Sequence, residues 1–485
     1  MRFFDQVSYD EALATITGSF PVPVRTETVT VSEAVGRVTA EPVLAVFDMP
    51  GEDRCLVDGC AVLSAETVGA RAGLPKVVSS AVPVESGDPL PEGCDSVVML
   101  EDLEKIGDRF ATTRVSLPGQ HVRRRGAEIR KERELLPSDH LVQPDEVGAL
   151  IVSGVERVRV RSLRVGLIPV GRGLVPPGTR PGPGEAVESN TSRAAAFLNR
   201  RGIGCIVLPV VGGGVRTIGD ALAKAVQEAD LVLVFGGVSK GSSDGVAGAV
   251  RVLGEVLFHG VAMQPGRPTL LGRVGKVPVV GLPGYPFAAG VVLRELVAPL
   301  LASWDFFPAT NHPVVPVELA RPVVSEVGVD EFVPLTVGYI GDRWIAYPRA
   351  RNPASYLADI GPLAFLHVPS GTEGFEAGTV REARLTASER VARRTLFVFG
   401  ATGTTLEGLT EAARVAGMRV EPVGGRDALV FRALETCRSH IAALEKPGGG
   451  TRLLTTARIL DDPRIRAVTV MADAVGCPIE VLGQD

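Results

Sequence analysis

The chain has 485 residues, enough for about three domains at ordinary domain size. Hydrophobic residues make 45% and charged residues 22%, a balance typical of a folded globular protein, and Gly 56 with Pro 36 occur without a repeat, which excludes collagen-like and low-complexity readings. A net charge of −5 and 5% aromatic residues argue against a dedicated nucleic-acid binder, which needs a basic surface or stacking platforms.

Taken in order, residues 8–18 predict an amphipathic helix, with Tyr9, Ala12, Leu13 and Ile16 at helical spacing. Residues 27–45 alternate apolar and polar, with a helical turn at 32–35. Residues 46–140 are short β runs broken by Gly and Pro, which predicts a β-rich lobe. PDEVGALIVSG, 144–154, predicts a short helix stopped by glycine. Residues 164–303 change character: apolar strands alternate with amphipathic helices, which predicts a doubly wound parallel sheet with ligands at the carboxyl ends of its strands. Short β runs return at 312–388 and predict a small barrel or sandwich. Residues 393–485 predict a further β/α unit, with helices near 406–416 and 427–444.

The fold class that follows is α/β multidomain. Its parts are a linker domain (1–45 and 141–163), a β-rich lobe (46–140), the doubly wound domain (164–305), a small C-terminal β barrel (306–390) and an α/β unit (391–485). The six cysteines show no CxxC spacing and the six histidines no paired spacing, so neither a disulfide scaffold nor a zinc ribbon is expected. No apolar leader stands at MRFFDQVSYDEAL and no uncharged run approaches a membrane span, so the expected setting is reducing and cytoplasmic, with no membrane or nucleic-acid partner.

Five segments could carry chemistry. GGVSKGSSD, 236–244, follows an apolar strand and precedes a helix; its glycines allow a ligand close to peptide N–H groups, the helix start favours anions, and Asp244 is a candidate Mg²⁺ ligand or simply an N-cap. GLPGYPFAAG, 281–290, also joins a strand end to a helix, so the two loops would frame one crevice. VAMQPGRP, 261–268, offers Arg267 to a phosphate or leaves it as an exposed loop arginine. GEDRCLVDGCA, 51–61, contains Asp53 and Asp58 and also reads as a hairpin. HVRRRGAEIRKER, 121–133, concentrates arginines around Glu128, either as a clamp for an anion or as a solvated charged loop.

The order of these segments resembles the molybdopterin molybdenumtransferase family (MoeA and the gephyrin E domain) over about residues 1–390. PGEDRCLVDGCA, GDPLPEGCDSVVMLE, RRRGAEI, VGRGL, the SN pair Ser189–Asn190, GGVSKGSSD, QPGRP and GLPGYP follow the family's eight motifs in sequence. The resemblance implies that the doubly wound domain binds the pterin. It implies a homodimer whose site lies between that domain and the β lobe of the other subunit. It also implies adenylylated molybdopterin, molybdate and Mg²⁺ as reactants, AMP as product, and contact with the pterin adenylyltransferase. Residue by residue it implies Asp58, Glu128 and Asp244 as catalytic and metal-binding, and Ser86, Gly87, Asn190, Gly236, Gly237, Ser239, Gly241, Arg267, Pro283 and Gly284 as pterin-binding. The unit after 393 resembles the first half of a periplasmic-binding-protein-like domain.

Departures from the family pattern are specific. Gln264 replaces a lysine and Arg267 replaces the second; Arg172 and Gly173 stand where the pattern has aspartate and glutamate. Arg54, Cys55 and Cys60 replace Asn, Ser and Tyr, and Tyr285 replaces the asparagine of G-N-P. Two readings stay open: an insertase, or a catalytically impaired paralogue that holds pterin or acts as a scaffold. An adenylyltransferase is the third, disfavoured by the flanking β domains.

Overall fold

The computed structural model describes residues 6–199, 202–239, 245–306, 312–340, 342–354, 364–399, 403–423, 440–445, 451–456, 463–474 and 479–482. The chain divides into two compact units: 24–163, and 1–23 together with 164–485.

The first unit is built from small sheets. Thr26–Thr30 pairs antiparallel with Arg157–Arg161, and the helix Val31–Ala34 begins at a Thr30–Glu33 capping box. Gly59–Val62 sits between Val82–Val84 and Ser96–Met99, while Arg109–Thr112 sits between Lys76–Val78 and Leu103–Ile106. These sheets are too short for one large core and bury several small ones. Cys55 fills one with Ala61, Val84, Val97 and Val122, and Cys60 fills another with Val62, Val78 and Val98. Burial pushes both thiols above their usual pKa, so they act as apolar fillers.

The second unit contains the doubly wound domain. Its strands are β1 (Arg164–Pro169), β2 (Gly204–Val207), β3 (Leu231–Phe235), β4 (Glu255–His259), β5 (Leu270–Val274) and β6 (Val277–Leu282), in the sheet order β2-β1-β3-β6-β5-β4. β1, β2, β3 and β6 run parallel; β5 and β4 are antiparallel. The sheet is therefore mixed rather than wholly parallel. The segments GEVLFHG and TLLGRVGK pair antiparallel with no helix between them, β4 at the sheet edge and β5 inside it against β6. The helices are α1 (Asn190–Asn199), α2 (Val215–Glu228), α3 (Val246–Leu253) and α4 (Pro286–Ser303), the last with a π turn at Leu293–Val297. α2 and α3 pack on Ile168, Val170, Val232, Val234 and Val279. The intervening Leu167, Leu231, Leu233 and Val280 are fully buried as well, so both faces of the sheet are covered. α4 is long and apolar enough to cross a membrane, and 72% of it is buried inside the protein.

The expected N-terminal helix forms as Tyr9–Gly18 with a Ser8–Glu11 capping box, and packs on α4; Tyr9 Oη donates to Glu295 O (3.3 Å). Residues 312–385 form a closed five-stranded barrel: Asp330–Ile340 pairs with Arg343–Pro348 and Ala364–Val368, and Val314–Leu319 and Val380–Leu385 complete the ring. The final unit is a five-stranded sheet of Thr395–Phe399, Arg419–Val423, Ile441–Glu445, Thr451–Thr456 and Ile479–Leu482, with helices Gly403–Val415 and Pro463–Ala474. The expected helix over 427–444 ends differently: Ile441–Glu445 is a strand, and 424–439 lie outside the described residues.

This last unit shares one core with the barrel, since Ile340, Ile345 and Tyr347 pack among Leu396, Phe397 and Val398. Phe397 meets the Tyr347 ring edge-on at 4.7 Å. His440 accepts from Phe397 N at Nδ1 (2.9 Å) and donates from Nε2 to Tyr339 O (3.2 Å), which fixes its Nε2–H tautomer.

Candidate functional site

The carboxyl ends of β1, β3 and β6 open on a crevice of about 590 Å³. Its floor follows from the strand sequences: each ends in an apolar residue and continues into a glycine-rich loop. β3 runs into Gly236 (φ +91°) and Gly237 (φ +68°), and Gly236 N donates to Leu282 O at the end of β6 (2.9 Å). Only glycine fits there, because a Cβ on Gly236 would lie 2.3 Å from Val170 O. A Cβ on Gly284 would meet Gly236 Cα at 3.5 Å, so the two glycine loops touch backbone to backbone. The expectation that 236–244 and 281–290 frame one crevice is met by this contact. Gly236, Gly237, Ser239, Asn190, Pro283 and Gly284 all line it; Gly241 and Asp244 lie outside the described residues.

The opposite wall begins at the N-terminus of α1. Glu188 is buried and accepts from Thr191 N (2.9 Å) and from the Thr191 hydroxyl, which caps the helix. Asn190 Nδ2 donates to Gly284 O at 2.9 Å, and Arg193 Nη1 donates to Pro286 O at 2.8 Å, so α1 holds the 283–286 loop at two points. Arg172 is exposed and lines the crevice, placing a cation where the family pattern has an acid. His259 Nε2 donates to Val238 O (2.8 Å) behind the loop. Glu188 and Arg193 escaped the sequence reading. The only signal was E-S-N-T, an acid three residues before threonine at a helix start.

Arg267 does not line this crevice. Its Nη2 pairs with Glu326 Oε2 at 2.9 Å, while the neighbouring Pro268 reaches the lining. Met263–Gln264 pairs with Asp330–Glu331 at the barrel edge.

Within the 24–163 unit, Asp58, Ser86 and Gly87 come together. Asp58 Oδ1 accepts from Ser86 N (2.7 Å), Ser86 Oγ donates to Leu56 O (3.0 Å), and Gly87 N (φ +96°) donates to Cys55 O (2.8 Å). Glu128 instead pairs with Arg123 at 2.8 Å, beside a surface pocket of about 430 Å³ lined by residues 126–128 and 130–133. Part of the arginine-rich segment is committed to carboxylates of the same unit. Arg124 pairs with Asp53 (2.6 Å) and Arg125 with Asp48 (2.6 Å), while the Arg125 and Lys131 amides donate to Asp53 and Asp48. Those amides first, and the guanidiniums second, hold both carboxyls below the usual carboxylate range.

The described residues contain no group of three or more His, Cys, Asp or Glu placed to hold an ion. The chemistry available is that of an anion and heterocycle cleft, with glycine amides, an apolar floor and a cationic rim.

Two family models match the chain: the MoeA N-terminal region (domain I and II) over residues 7–154, and the "Probable molybdopterin binding domain" over residues 151–303. Molybdopterin molybdenumtransferase of Nostoc is 30% identical over 299 residues, covering 57% of this chain and 69% of that protein. Molybdopterin molybdenumtransferase 2 of Mycobacterium tuberculosis is 29% identical over 378 residues, covering 73% and 93%. Among solved structures, the molybdopterin biosynthesis MoeA protein of Pyrococcus horikoshii superposes with a TM-score of 0.63 at 28% identity, covering 79% of this chain and all of that one.

Proposed function

The chain belongs to the molybdopterin molybdenumtransferase family of molybdenum cofactor biosynthesis, and from that premise we propose that it takes adenylylated molybdopterin and molybdate, releases AMP and delivers the molybdenum-loaded pterin. The observation that carries this reading is the contact of the two glycine loops across the ends of β3 and β6, beside the crevice. Such a cleft accepts a flat apolar ring on its floor and phosphate oxygens against peptide N–H groups. In the reaction water cleaves the phosphoanhydride, so AMP and the pterin phosphate separate, and the two dithiolene thiols bind molybdenum in place of two molybdate oxygens, which leave as two waters with the thiol protons and two protons from solvent.

In this reading Gly236 and Gly237 let the backbone approach the phosphates, Ser239 adds a hydroxyl, and Asn190 and the Pro283–Gly284 turn hold the pterin side. Arg172 supplies rim charge that Gln264 no longer gives. Mg²⁺ enters with the phosphates, in the way a small hard cation is held by one or two carboxylates and substrate oxygens. We read the protein as a homodimer, in which Asp58, Ser86, Gly87 and Glu128 of one copy serve the crevice of the other. Exposed apolar side chains at Val46, Phe47, Ile151 and Val152, gathered around the Val46 N to Ser153 O bond, support a self-associating face on the 24–163 unit. The pterin adenylyltransferase is the expected upstream partner.

A second reading is favoured by the ion pairs of Arg267 with Glu326 and Glu128 with Arg123, which occupy two groups the chemistry would use. In it the chain binds pterin without turnover. Incubation with adenylylated molybdopterin, molybdate and Mg²⁺, with AMP followed by chromatography, separates the two. Release above a protein-free blank supports the insertase. Retained, uncleaved substrate supports the carrier.

A further inference from the structure

The final α/β unit is seated on the barrel strand that also supports one wall of the crevice. That strand is Asp330–Ile340. Its 336–340 end receives the unit. A Cβ on Gly338 would lie 2.8 Å from the Phe397 ring and 3.0 Å from Thr395 O, so the missing side chain makes the seat for Thr395–Phe399. The Tyr339 carbonyl accepts from His440, and the buried Thr336 hydroxyl donates to Glu421 Oε1 at 3.2 Å. The other end supports the crevice. Asp330 and Glu331 pair with Met263 and Gln264, whose chain continues to Pro268 in the crevice lining. Glu331 and Thr336 lie about 17 Å apart along a strand of this kind.

A second segment joins the two ends. Residues 349–354 leave the barrel after Arg343–Pro348 and reach the lining at Ala354. Two arginines fasten them to the strand. Arg351 Nη1 donates to the buried Glu331 (2.6 Å) and to Val324 O (2.8 Å). Arg349 N donates to Pro334 O (2.9 Å), and its Nη1 donates to Glu421 Oε1 (2.9 Å) and to Thr336 Oγ1 (3.1 Å). Asn352 Oδ1 accepts from Ala354 N (3.0 Å), which closes the end of the segment into a turn.

Glu421 thus stands between two guanidiniums, Arg349 on Oε1 and Arg419 on Oε2 (3.2 Å), in a partly buried setting where salt screens little. Removing its charge leaves two cations side by side at the root of the segment that ends at Ala354. Arg349 and Ala354 are within about 18 Å of each other even on an extended chain.

We propose that the final α/β unit positions the barrel wall of the crevice, with Glu421 as the positioning residue. Glu421 holds Arg349, Arg349 holds segment 349–354, and the segment keeps Ala354 in the wall. The unit therefore supports substrate binding from within the same chain, in place of serving as a separate ligand module. The identity of the substrate rests on the proposed function.

The test uses the full chain and molybdopterin, anaerobically, with affinity read by pterin fluorescence and amide exchange by mass spectrometry. Glu421→Gln weakens molybdopterin binding by about three- to tenfold, the size expected when a coupled network loses one member. Glu411→Gln, which removes an exposed pair with Arg414 in the same unit, keeps the wild-type affinity. Arg349→Gln weakens binding as Glu421→Gln does, and the double variant binds no worse than the weaker single, because the two residues act as one link. Arg419→Gln added to Glu421→Gln restores affinity by removing the repulsion, a response that lost stability alone would not give. Coupling is reciprocal, so molybdopterin bound to the wild type slows exchange at 395–399 and 419–423. Wild-type affinity in Glu421→Gln, loss that Arg419→Gln leaves unrestored, or exchange at these strands indifferent to bound molybdopterin overturns this inference and leaves the proposed function standing. A wild-type chain that binds no molybdopterin overturns the proposed function and this inference with it.

Discussion

Gly236→Ala isolates the step from backbone geometry to binding. Alanine at φ +91° sits in the left-handed region, at a cost of about 1–2 kcal/mol. Its methyl would also lie 2.3 Å from Val170 O, well inside van der Waals contact, and relief by shifting β1 or the loop adds about 1–3 kcal/mol. The expected loss is about 2–5 kcal/mol, a large part of ordinary domain stability. Gly219→Ala is the matched control, because Gly219 lies inside α2 with its nearest neighbour 4.0 Å from the added methyl; it should gain about 0.5–1 kcal/mol. Urea unfolding followed by tryptophan fluorescence reads both, since the two tryptophans are buried, Trp304 at the end of α4 and Trp344 in the barrel. Binding of molybdopterin should fall at least tenfold in Gly236→Ala and stay unchanged in Gly219→Ala. Equal stability and equal affinity of the two variants would refute the claim that the crevice depends on the side-chain-free contact of Gly236 with Val170 and Gly284.

Three other predictions follow from particular contacts. Phe397→Ala should cost about 3–5 kcal/mol and destabilise the barrel together with the final α/β unit, because their core is shared; limited proteolysis that releases residues 395–485 from an intact barrel would contradict this. Arg267→Ala should weaken binding of adenylylated molybdopterin, and Glu326→Gln, which frees the guanidinium, should strengthen it a few-fold by calorimetry; identical affinities in both variants would remove Arg267 from the phosphate site. Asp48 and Asp53 have depressed folded pKa values, so the stability they lend is present above the ordinary carboxylate range and is lost as pH falls below about 4. Hydrogen exchange over 123–133, corrected for its intrinsic pH dependence, should therefore speed up on acidification, and Asp48→Asn should reproduce the effect at pH 7.

What was legible in the chain was local. The helix at Tyr9–Gly18, the turn near Val31–Ala34 and the strand–loop–helix pattern of β3 and β6 could be read from spacing. The strands β4 and β5 could not. They form an antiparallel edge, and the motif between them reads as loop; their partners are set by tertiary pairing. The pairing within the arginine segment was hidden for a related reason, because Asp53 and Asp48 meet Arg124 and Arg125 from more than 70 residues upstream. The grip of Arg193 on Pro286 spans 93 residues and depends on the missing side chain at Gly290, a relation that no window of sequence contains.

The central claim is tested most directly by the molybdate dependence of AMP release in a single turnover of adenylylated molybdopterin, with the product supplied to a molybdenum-free apoenzyme. Release that rises with molybdate and restores activity to the apoenzyme is the result predicted for this chain. Release indifferent to molybdate, or substrate held without cleavage while the apoenzyme stays inactive, would contradict insertion.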